Sequence, residues 1–140
     1  MKAIIMAGGE GRRLKPVTGD TPKPLAMLCG RSIMEHIILL LKKHGITDIC
    51  CALKYRAQDI KDCFGAGERL GVRLQYRVEG SPLGTAGGVK NCADFYKDED
   101  FLVISGDAAC DFDLSEMIAA HKSRKAAATI ALFPEAEPLR

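Results

Sequence analysis

The chain has 140 residues, enough for one domain with a buried core. Hydrophobic residues make up 47% and charged residues 27%, which is typical of a globular protein and argues against disorder. The formal net charge of +2 gives no electrostatic case for binding nucleic acid or an anionic membrane, so any anion site must be local.

Short apolar runs alternate with helical patterns along the chain. Residues 3–7 are typical of a fully buried strand. A helix is predicted to begin at Ser32, where Glu35 completes a capping box, and to end at Gly45. A second strand is predicted over residues 46–53.

The second part of the chain continues this alternation. Its predicted elements are a helix over residues 57–64, a strand over 72–78 with one polar face, a helix over about 86–95, a buried strand over 101–104, a helix from a capping box at Asp113 and Glu116 to about His121, and a strand over 127–133. The alternation predicts a parallel sheet with helices on both faces. No closing helix follows the last predicted strand, which fits either a natural terminus or a truncation.

The six cysteines form no Cys-x-x-Cys pair and lie at no zinc-finger spacing from a histidine, which favours reduced, buried thiols. Adjacent Cys50 and Cys51 are expected on opposite faces of their strand. The apolar start is too short for a signal peptide, and no apolar run approaches the ~20 residues of a membrane span. We therefore expect a cytoplasmic protein that does not enter a membrane.

A glycine-rich loop follows the first predicted strand. Gly8, Gly9 and Gly11 allow the backbone to turn tightly, and consecutive N–H groups in such a turn form an anion cradle. Arg13 adds a guanidinium fork suited to phosphate, and Lys23, held between two prolines, adds a point charge. Open α/β sheets bind ligands where their strands end, so this loop is the candidate phosphate site.

Two other glycine-rich motifs fit this loop poorly. A dinucleotide-binding motif needs a glycine where Leu14 stands and an acidic residue at the end of the second strand, which instead ends at residues 53–55, Leu-Lys-Tyr. A Walker loop needs Gly-Lys-Ser/Thr, which does not follow at the required spacing. The remaining alternative is that this loop is only a structural turn, with solvated charges and no ligand.

Residues 6–25 resemble the N-terminal signature of the sugar nucleotidyltransferases, Gly-Gly-x-Gly-Thr-Arg-Leu-x-Pro-Leu-Thr followed after a gap by Pro-Lys-Pro-Leu. Arg12 stands where that family has threonine, which adds a second cation near the triphosphate. Residues 82–88 resemble the nucleotide-base loop of the family in its guanylyltransferase form, and residues 105–107, Ser-Gly-Asp, its metal-binding aspartate motif. Residues 107–114 are similar to the same stretch in mannose-1-phosphate guanylyltransferases.

The resemblance implies a Rossmann-like, three-layer α/β/α fold, with residues 1–140 as the N-terminal nucleotide-binding part of a nucleotidyltransferase domain that is incomplete at its C-terminus. The implied reaction transfers a nucleoside monophosphate from a nucleoside triphosphate to a sugar 1-phosphate and releases pyrophosphate. The resemblance of the base loop to guanylyltransferases implies GTP as the donor, and the resemblance to mannose-1-phosphate guanylyltransferases implies mannose 1-phosphate as the acceptor. The implied nucleotide-binding residues are Ala7, Gly8, Gly9, Gly11, Arg12, Arg13, Lys23, Glu79, Gly84 and Thr85.

Three residues carry the implied catalysis. Arg13 would hold the β- and γ-phosphates, Lys23 would stabilise charge on the α-phosphoryl group, and Asp107 would bind the cofactor Mg²⁺. An aspartate after a strand can instead serve in a turn or cap a helix, and this interpretation of Asp107 stays open. Asp111 and Asp113 are interpreted as supporting or capping residues, because Asp113 heads a capping box.

Glu79 lies at the end of the alternating strand, five residues before Gly84. A carboxylate only accepts hydrogen bonds, and guanine offers N–H donors at N1 and N2. The hypothesis is that Glu79 helps to select guanine; the alternative is a solvated acid in a loop.

The competing function is a non-catalytic nucleotide-binding or assembly module of the same fold. In the family, a later part of the domain supplies the sugar-phosphate lysine and a second metal-binding aspartate, and neither has a counterpart in this chain. We therefore expect weak nucleotide binding with little turnover. A dinucleotide-dependent oxidoreductase is a more distant alternative. The open sheet edges of an incomplete domain favour homo-oligomers.

Overall fold

A computed structural model describes residues 1–11, 16, 19–132 and 134 of the chain. Its strands are β1 (Lys2–Ala7), β2 (Met27–Leu28), β3 (Arg31–Ser32), β4 (Asp48–Leu53), β5 (Arg73–Val78) and β6 (Phe101–Ser105). Its α-helices are α1 (Ile33–Lys43), α2 (Ala57–Phe64), α3 (Gly84–Lys90), α4 (Ala93–Tyr96) and α5 (Leu114–Arg124), and single 3₁₀ turns occupy Lys23–Leu25 and Glu68–Leu70.

The main sheet is parallel and has the strand order β5-β4-β1-β6. Ile5 of β1 lies opposite Cys51 of β4 on one side and Ile104 of β6 on the other. The chain therefore adds β4 and β5 to one side of β1 and then returns to add β6 to the other. Such a reversal of strand order opens a crevice at the carboxyl ends of the two strands concerned, here β1 and β6.

Helices cover both faces of the sheet. Successive residues of β1 point into two cores: Ile5 packs with Ile37 of α1, and Ile4 packs with Cys50 and with Phe95 of α4. Both isoleucines are fully buried, and each contributes about 1.5–3 kcal/mol by leaving water. The predicted three-layer α/β/α fold is confirmed.

Both predicted capping boxes begin helices. Ser32 Oγ accepts a hydrogen bond of 3.2 Å from the Glu35 N–H at the start of α1, and Asp113 Oδ1 accepts one of 2.9 Å from the Glu116 N–H at the start of α5. Gly45, with a φ of 74°, ends α1 as predicted. Helix α5 continues to Arg124, three residues beyond the predicted end.

The helix predicted over residues 86–95 is wrong in its continuity. The structure has two helices there, α3 and α4, and α3 begins at Gly84. The chain bends between them, where the Cys92 N–H donates to the Val89 carbonyl at 3.0 Å. This bend places Cys92 and Phe95 in the core, and that burial outweighs the propensity for one continuous helix.

The strand predicted over residues 127–133 is also wrong: residues 127–132 form no strand, and Phe133 lies outside the described residues. Apolar character alone does not make a strand, because a strand needs backbone partners. Within the described chain these residues pair with no strand, and Ile130 and Leu132 stay 76% and 85% exposed. The segment instead lies beside β6 and α5, where it lines a cavity of about 640 Å³.

All six cysteines are free thiols. Cys50 and Cys51 are buried in the two different cores, as expected for opposite faces of β4, and burial raises the pKa of Cys50 to about 12. The expectation of burial is wrong for Cys29 and Cys63, which are exposed because they lie in a turn and on the outer side of α2. Of the helices that the structure describes, none is long and apolar enough to cross a membrane.

Candidate active site

The crevice between β1 and β6 holds two of the three residues predicted to carry catalysis. The glycine-rich loop leaves the end of β1, and the Ser-Gly-Asp turn leaves the end of β6. Lys23 Nζ lies 2.9 Å from Asp107 Oδ2. The two side chains are 29% and 35% exposed, so the ion pair can be reached from solvent. Arg13 lies outside the described residues, and its role stays a prediction.

Asp107 is held as a carboxylate. Ser105 Oγ donates to Asp107 Oδ1 at 2.6 Å, while Oδ2 faces Lys23. Partial burial raises the pKa of Asp107, but the hydrogen bonds from Ser105 and Lys23 outweigh that effect and lower the pKa below its usual value. The capping interpretation of this residue is not supported, because the cap of the following helix α5 is Asp113.

Gly106 brings the turn after β6 close to β1. Its N–H donates to the Met6 carbonyl at 2.9 Å. A Cβ at this position would lie 2.8 Å from Ile5 Cγ2 and 3.1 Å from Ala7 Cβ, which real side chains do not tolerate without movement. The close approach that glycine permits is what puts Asp107 next to the loop that leaves β1.

The glycine-rich loop packs against Lys23. Gly11 has a φ of +64°, and a Cβ there would lie 3.0 Å from Lys23 Cβ. Lys23 itself begins a 3₁₀ turn after the buried Pro22, where the Leu25 N–H donates to the Pro22 carbonyl at 2.8 Å. Lys23 therefore lies in a hydrogen-bonded turn between two buried prolines, and the stiffness expected from them stays a prediction.

The remaining loop residues fall at the same edge of the sheet. Ala7 is buried at the end of β1, so it can offer a ligand only its backbone, and Gly9 is exposed. Gly8 accepts a hydrogen bond of 3.4 Å from the Tyr55 N–H through its carbonyl. Arg12 lies outside the described residues, and its effect on a triphosphate stays a prediction.

Glu79 is tied to the start of α3. Its Oε2 accepts a hydrogen bond of 3.3 Å from the Leu83 N–H, and its Oε1 would lie 2.6 Å from a Cβ placed on Gly88. Because Glu79 is partly exposed in the loop after β5, the role in base selection stays a prediction and the alternative of a solvated loop acid stays open. Gly84, with a φ of +70°, and Thr85 begin α3 and are exposed beside this carboxylate.

Sequence reasoning missed three contacts of this site. It did not find the ion pair of Lys23 with Asp107, the hydrogen bond from Ser105, or the bond from the Leu83 N–H to Glu79. The Ser-x-Asp spacing after a strand is a signal for the second of these, because a serine two residues before an aspartate can reach its carboxylate. The other two join residues from separate elements, and no local pattern marks them.

Asp107 is the carboxylate that the structure places beside Lys23 in this crevice, where it could bind a metal ion. Across the residues that the structure describes, no group of three or more His, Cys, Asp or Glu side chains is arranged to hold a metal. Mg²⁺ is commonly bound through one or two carboxylates together with phosphate oxygens and water. An ionised, accessible Asp107 fits that donor set.

A protein-family model for nucleotidyl transferases matches residues 2–140. The chain belongs to the nucleotidyl transferase family. The predicted resemblance to sugar nucleotidyltransferases is thereby confirmed, and the match argues against a dinucleotide-dependent oxidoreductase.

Several curated proteins are similar to this nucleotidyl transferase chain. D-glycero-α-D-manno-heptose 1-phosphate guanylyltransferase of Campylobacter jejuni is 41% identical over 117 residues, which cover 84% of this chain and 52% of the relative. UTP–glucose-1-phosphate uridylyltransferase of Synechocystis is 36% identical, over 93% of this chain and 36% of the relative. Mannose-1-phosphate guanyltransferase 2 of Candida glabrata is 37% identical, over 99% and 39%.

Solved structures share the fold. HddC from Yersinia pseudotuberculosis, complexed with GMP-PN, matches with a TM-score of 0.77 and 32% identity over 86% of this chain and 53% of that protein. A putative glucose-1-phosphate thymidylyltransferase from Bacillus anthracis matches with a TM-score of 0.82 and 32% identity over 89% and 51%. The chain spans 36% to 52% of the length of these curated relatives. The names of these relatives and solved structures include guanylyl, uridylyl and thymidylyl transfer, so the comparisons do not identify a single base.

Proposed function

We propose that this chain forms the nucleotide-binding part of an enzyme that transfers GMP from GTP to a sugar 1-phosphate, with mannose 1-phosphate as the acceptor. The observation that carries the proposal is the Lys23–Asp107 ion pair, 2.9 Å long, in the crevice where the glycine-rich loop leaves β1. A cation and an ionised carboxylate at a phosphate-binding loop match the needs of phosphoryl chemistry.

In the proposed reaction a phosphate oxygen of the sugar 1-phosphate attacks the α-phosphorus of GTP. The bond from that phosphorus to the bridging oxygen of the β-phosphate breaks, and pyrophosphate leaves. The protein contributes position and charge rather than covalent chemistry. The loop N–H groups and Arg13 would hold the β- and γ-phosphates, and Lys23 would neutralise charge on the α-phosphoryl group.

Asp107 is the residue that we propose for Mg²⁺. Bound there, the ion would neutralise phosphate charge. Lys23 Nζ pairs with Asp107 Oδ2 in this structure. We therefore expect nucleotide binding to move the Lys23 ammonium away from the Asp107 carboxylate and towards phosphate oxygens.

The first test is calorimetric titration with GTP, ATP, UTP and CTP in Mg²⁺. We expect selective binding of GTP that weakens at least 10-fold in Lys23→Ala and in Asp107→Ala, because each loses a charge-assisted contact of about 1.5–3 kcal/mol. Lys122→Ala and Asp98→Ala, at exposed positions outside the crevice, are the matched controls. Binding that is absent from the wild type, or unchanged in both crevice variants, would contradict the proposal.

Glu79 is the proposed selector of guanine. Its carboxylate is anchored by the Leu83 N–H, and it retains acceptor positions for the N1 and N2 donors of guanine. Guanylyltransferases among the relatives support this choice of base. In Glu79→Gln, an amide donor faces those N–H groups, so the preference for GTP over UTP should fall about 10-fold or more. An unchanged preference would exclude this role; exposed Glu68→Gln is the control.

A non-catalytic module of the same fold remains the second candidate, because the chain spans 36% to 52% of the relatives' length. GTP binding without formation of a nucleotide sugar would favour it, and robust synthesis by this chain would exclude it. We further propose a cytoplasmic location, which the six free thiols support. We also propose that the chain self-associates through the outer edges of β5 and β6, and analytical sedimentation would test this self-association.

A further inference from the structure

The chain between β1 and Lys23, residues 8–22, forms the glycine-rich segment. The connection between β4 and α2, residues 54–56, contacts this segment at both of its described ends. The Tyr55 N–H donates to the Gly8 carbonyl at 3.4 Å, near the start of the segment. Arg56 Nη1 donates to the Asp20 carbonyl at 2.9 Å, near its end. The same short connection therefore contacts the chain both directly after β1 and shortly before Lys23.

Arg56 makes this contact from an unfavourable backbone conformation. Its φ of 46° and ψ of 42° lie in the left-handed region, which disfavours residues with a Cβ and suits glycine. The residue is also the N-cap of α2, where it supplies no side-chain cap. Glycine would adopt this backbone more easily, so the contacts of the arginine side chain offer a reason for the residue at this position.

The guanidinium is fixed from two directions. It forms an ion pair with Asp59, one turn into α2, and it donates to the Asp20 carbonyl. Only Thr21 and the buried Pro22 separate Asp20 from Lys23. Because Pro22 is buried and restricts the backbone, we expect a displacement at Asp20 to reach Lys23.

We propose that Arg56 is a positioning residue that anchors the end of the glycine-rich segment at Asp20, and thereby holds Lys23 in register for the nucleotide. The role of Lys23 towards nucleotide rests on the proposed function; the anchoring of the segment does not. Arg56 contacts the backbone of the segment, and we assign it no direct contact with the phosphates of the nucleotide.

Three variants separate anchoring from general stability. Arg56→Gly removes the side chain and relieves the left-handed backbone, and because this relief offsets the lost contacts, its thermal midpoint should stay close to that of the wild type. Arg56→Lys keeps a donor and should recover part of the effect. Lys125→Gly is the matched control, because Lys125 has nearly the same conformation, with φ 47° and ψ 41°, but ends α5.

The deciding measurement is hydrogen exchange, without nucleotide, in the peptides that carry residues 8–11 and 19–23. We expect exchange there to become about 3- to 10-fold faster in Arg56→Gly, as the loss of one hydrogen bond implies, with Arg56→Lys between that variant and the wild type. Lys125→Gly should leave these peptides unchanged. Unchanged exchange in Arg56→Gly, or faster exchange throughout the chain, would overturn the proposal.

Titration with GTP and Mg²⁺ completes the test. Affinity should fall by a similar factor in Arg56→Gly and be partly recovered in Arg56→Lys. Faster exchange with unchanged affinity would overturn the link from Arg56 to the nucleotide. Failure of the wild type to bind any triphosphate would count against the proposed function alone, since the exchange result decides the anchoring independently.

Discussion

At the scale of residues, the crevice is built from contacts that balance one another. Burial opposes the charge on Asp107, and Ser105 and Lys23 favour it, with the result that its pKa is lowered. Gly106 has no side chain, and only this allows the turn to approach Ile5 and Ala7. The charge and the position of Asp107 therefore depend on its contacts with Ser105 and Lys23 and on the missing Cβ of Gly106.

The lowered pKa of Asp107 predicts a pH dependence of stability. A carboxyl group with a lower pKa in the folded state stabilises the fold above its unfolded pKa of about 3.9, and this contribution is lost as the pH falls through the folded value. Asp107→Asn should therefore be less stable than the wild type at pH 7, by about 1 kcal/mol or less because the pair is partly exposed. Urea unfolding at pH 7 and pH 3 measures the difference, which should shrink at pH 3. A constant difference would show that the charge of Asp107 does not contribute.

Gly106→Ala should destabilise the protein. The new Cβ would lie 2.8 Å from Ile5 Cγ2, and overpacking of this kind costs about 1–3 kcal/mol. Urea unfolding measures the loss. Gly80→Ala is the control, because a Cβ there meets no atom within 4 Å. Equal stability of the two variants would mean that the turn after β6 moves freely, in which case Asp107 is not fixed by it.

At the scale of elements, local signals set where helices begin, and packing sets how far they run. The Ser32 and Asp113 caps formed where their sequence patterns stand. The helix predicted over residues 86–95 instead broke into α3 and α4, because Cys92 and Phe95 turn into the core. Side-chain caps are local and can be read from sequence, whereas a break enforced by burial depends on what lies beneath the helix.

Ser32→Ala tests the first of these statements. Ser32 is 4% exposed, and its Oγ accepts the Glu35 N–H, so removal of the cap should cost about 1 kcal/mol. Ser32→Asn should restore part of that stability. Ser123→Ala is the control. It removes an exposed hydroxyl that donates a hydrogen bond to the Ala120 carbonyl within the same helix, and it should change stability by less than about 0.5 kcal/mol. Thermal or urea unfolding of the three variants decides; equal effects at both serines would contradict the capping role.

At the scale of the whole molecule, strand order places the site. Because β4 and β5 lie on one side of β1 and β6 on the other, the segments after β1 and β6 meet at one crevice. The outer edge of β6 pairs with no strand among the described residues, and Val103 there is 44% exposed. Binding in the crevice should therefore stabilise the whole sheet through its central strand.

Ligand-linked stability provides the measurement at this scale. GTP with Mg²⁺ at 100 times its dissociation constant should raise the free energy of unfolding by about 2.7 kcal/mol, and the thermal midpoint should rise accordingly. UTP at the same concentration should raise it less if Glu79 selects guanine. Asp107→Ala should reduce the rise with GTP. A midpoint that does not respond to any triphosphate would contradict the proposed nucleotide site.

The sequence by itself determined the α/β class, the order of the four main-sheet strands and of most helices, the two capping boxes and the location of the glycine-rich loop. These depend on short-range patterns: apolar runs for buried strands, Ser or Asp three residues before Glu for helix starts, and glycines after β1 for the phosphate turn. It also indicated Lys23, Glu79 and Asp107 as candidate site residues, without the ion pair that joins Lys23 to Asp107.

Only the tertiary structure decided how those residues are used. Strand order brought Asp107 close to Lys23. Burial of Cys92 and Phe95 divided the predicted helix into α3 and α4. Residues 127–132 have no pairing strand among the described residues and lie outside the sheet. It also showed Arg56 reaching the Asp20 carbonyl. Each of these depends on residues far apart in the chain, and such contacts form only when the backbone has already brought their elements together, so no local pattern encodes them.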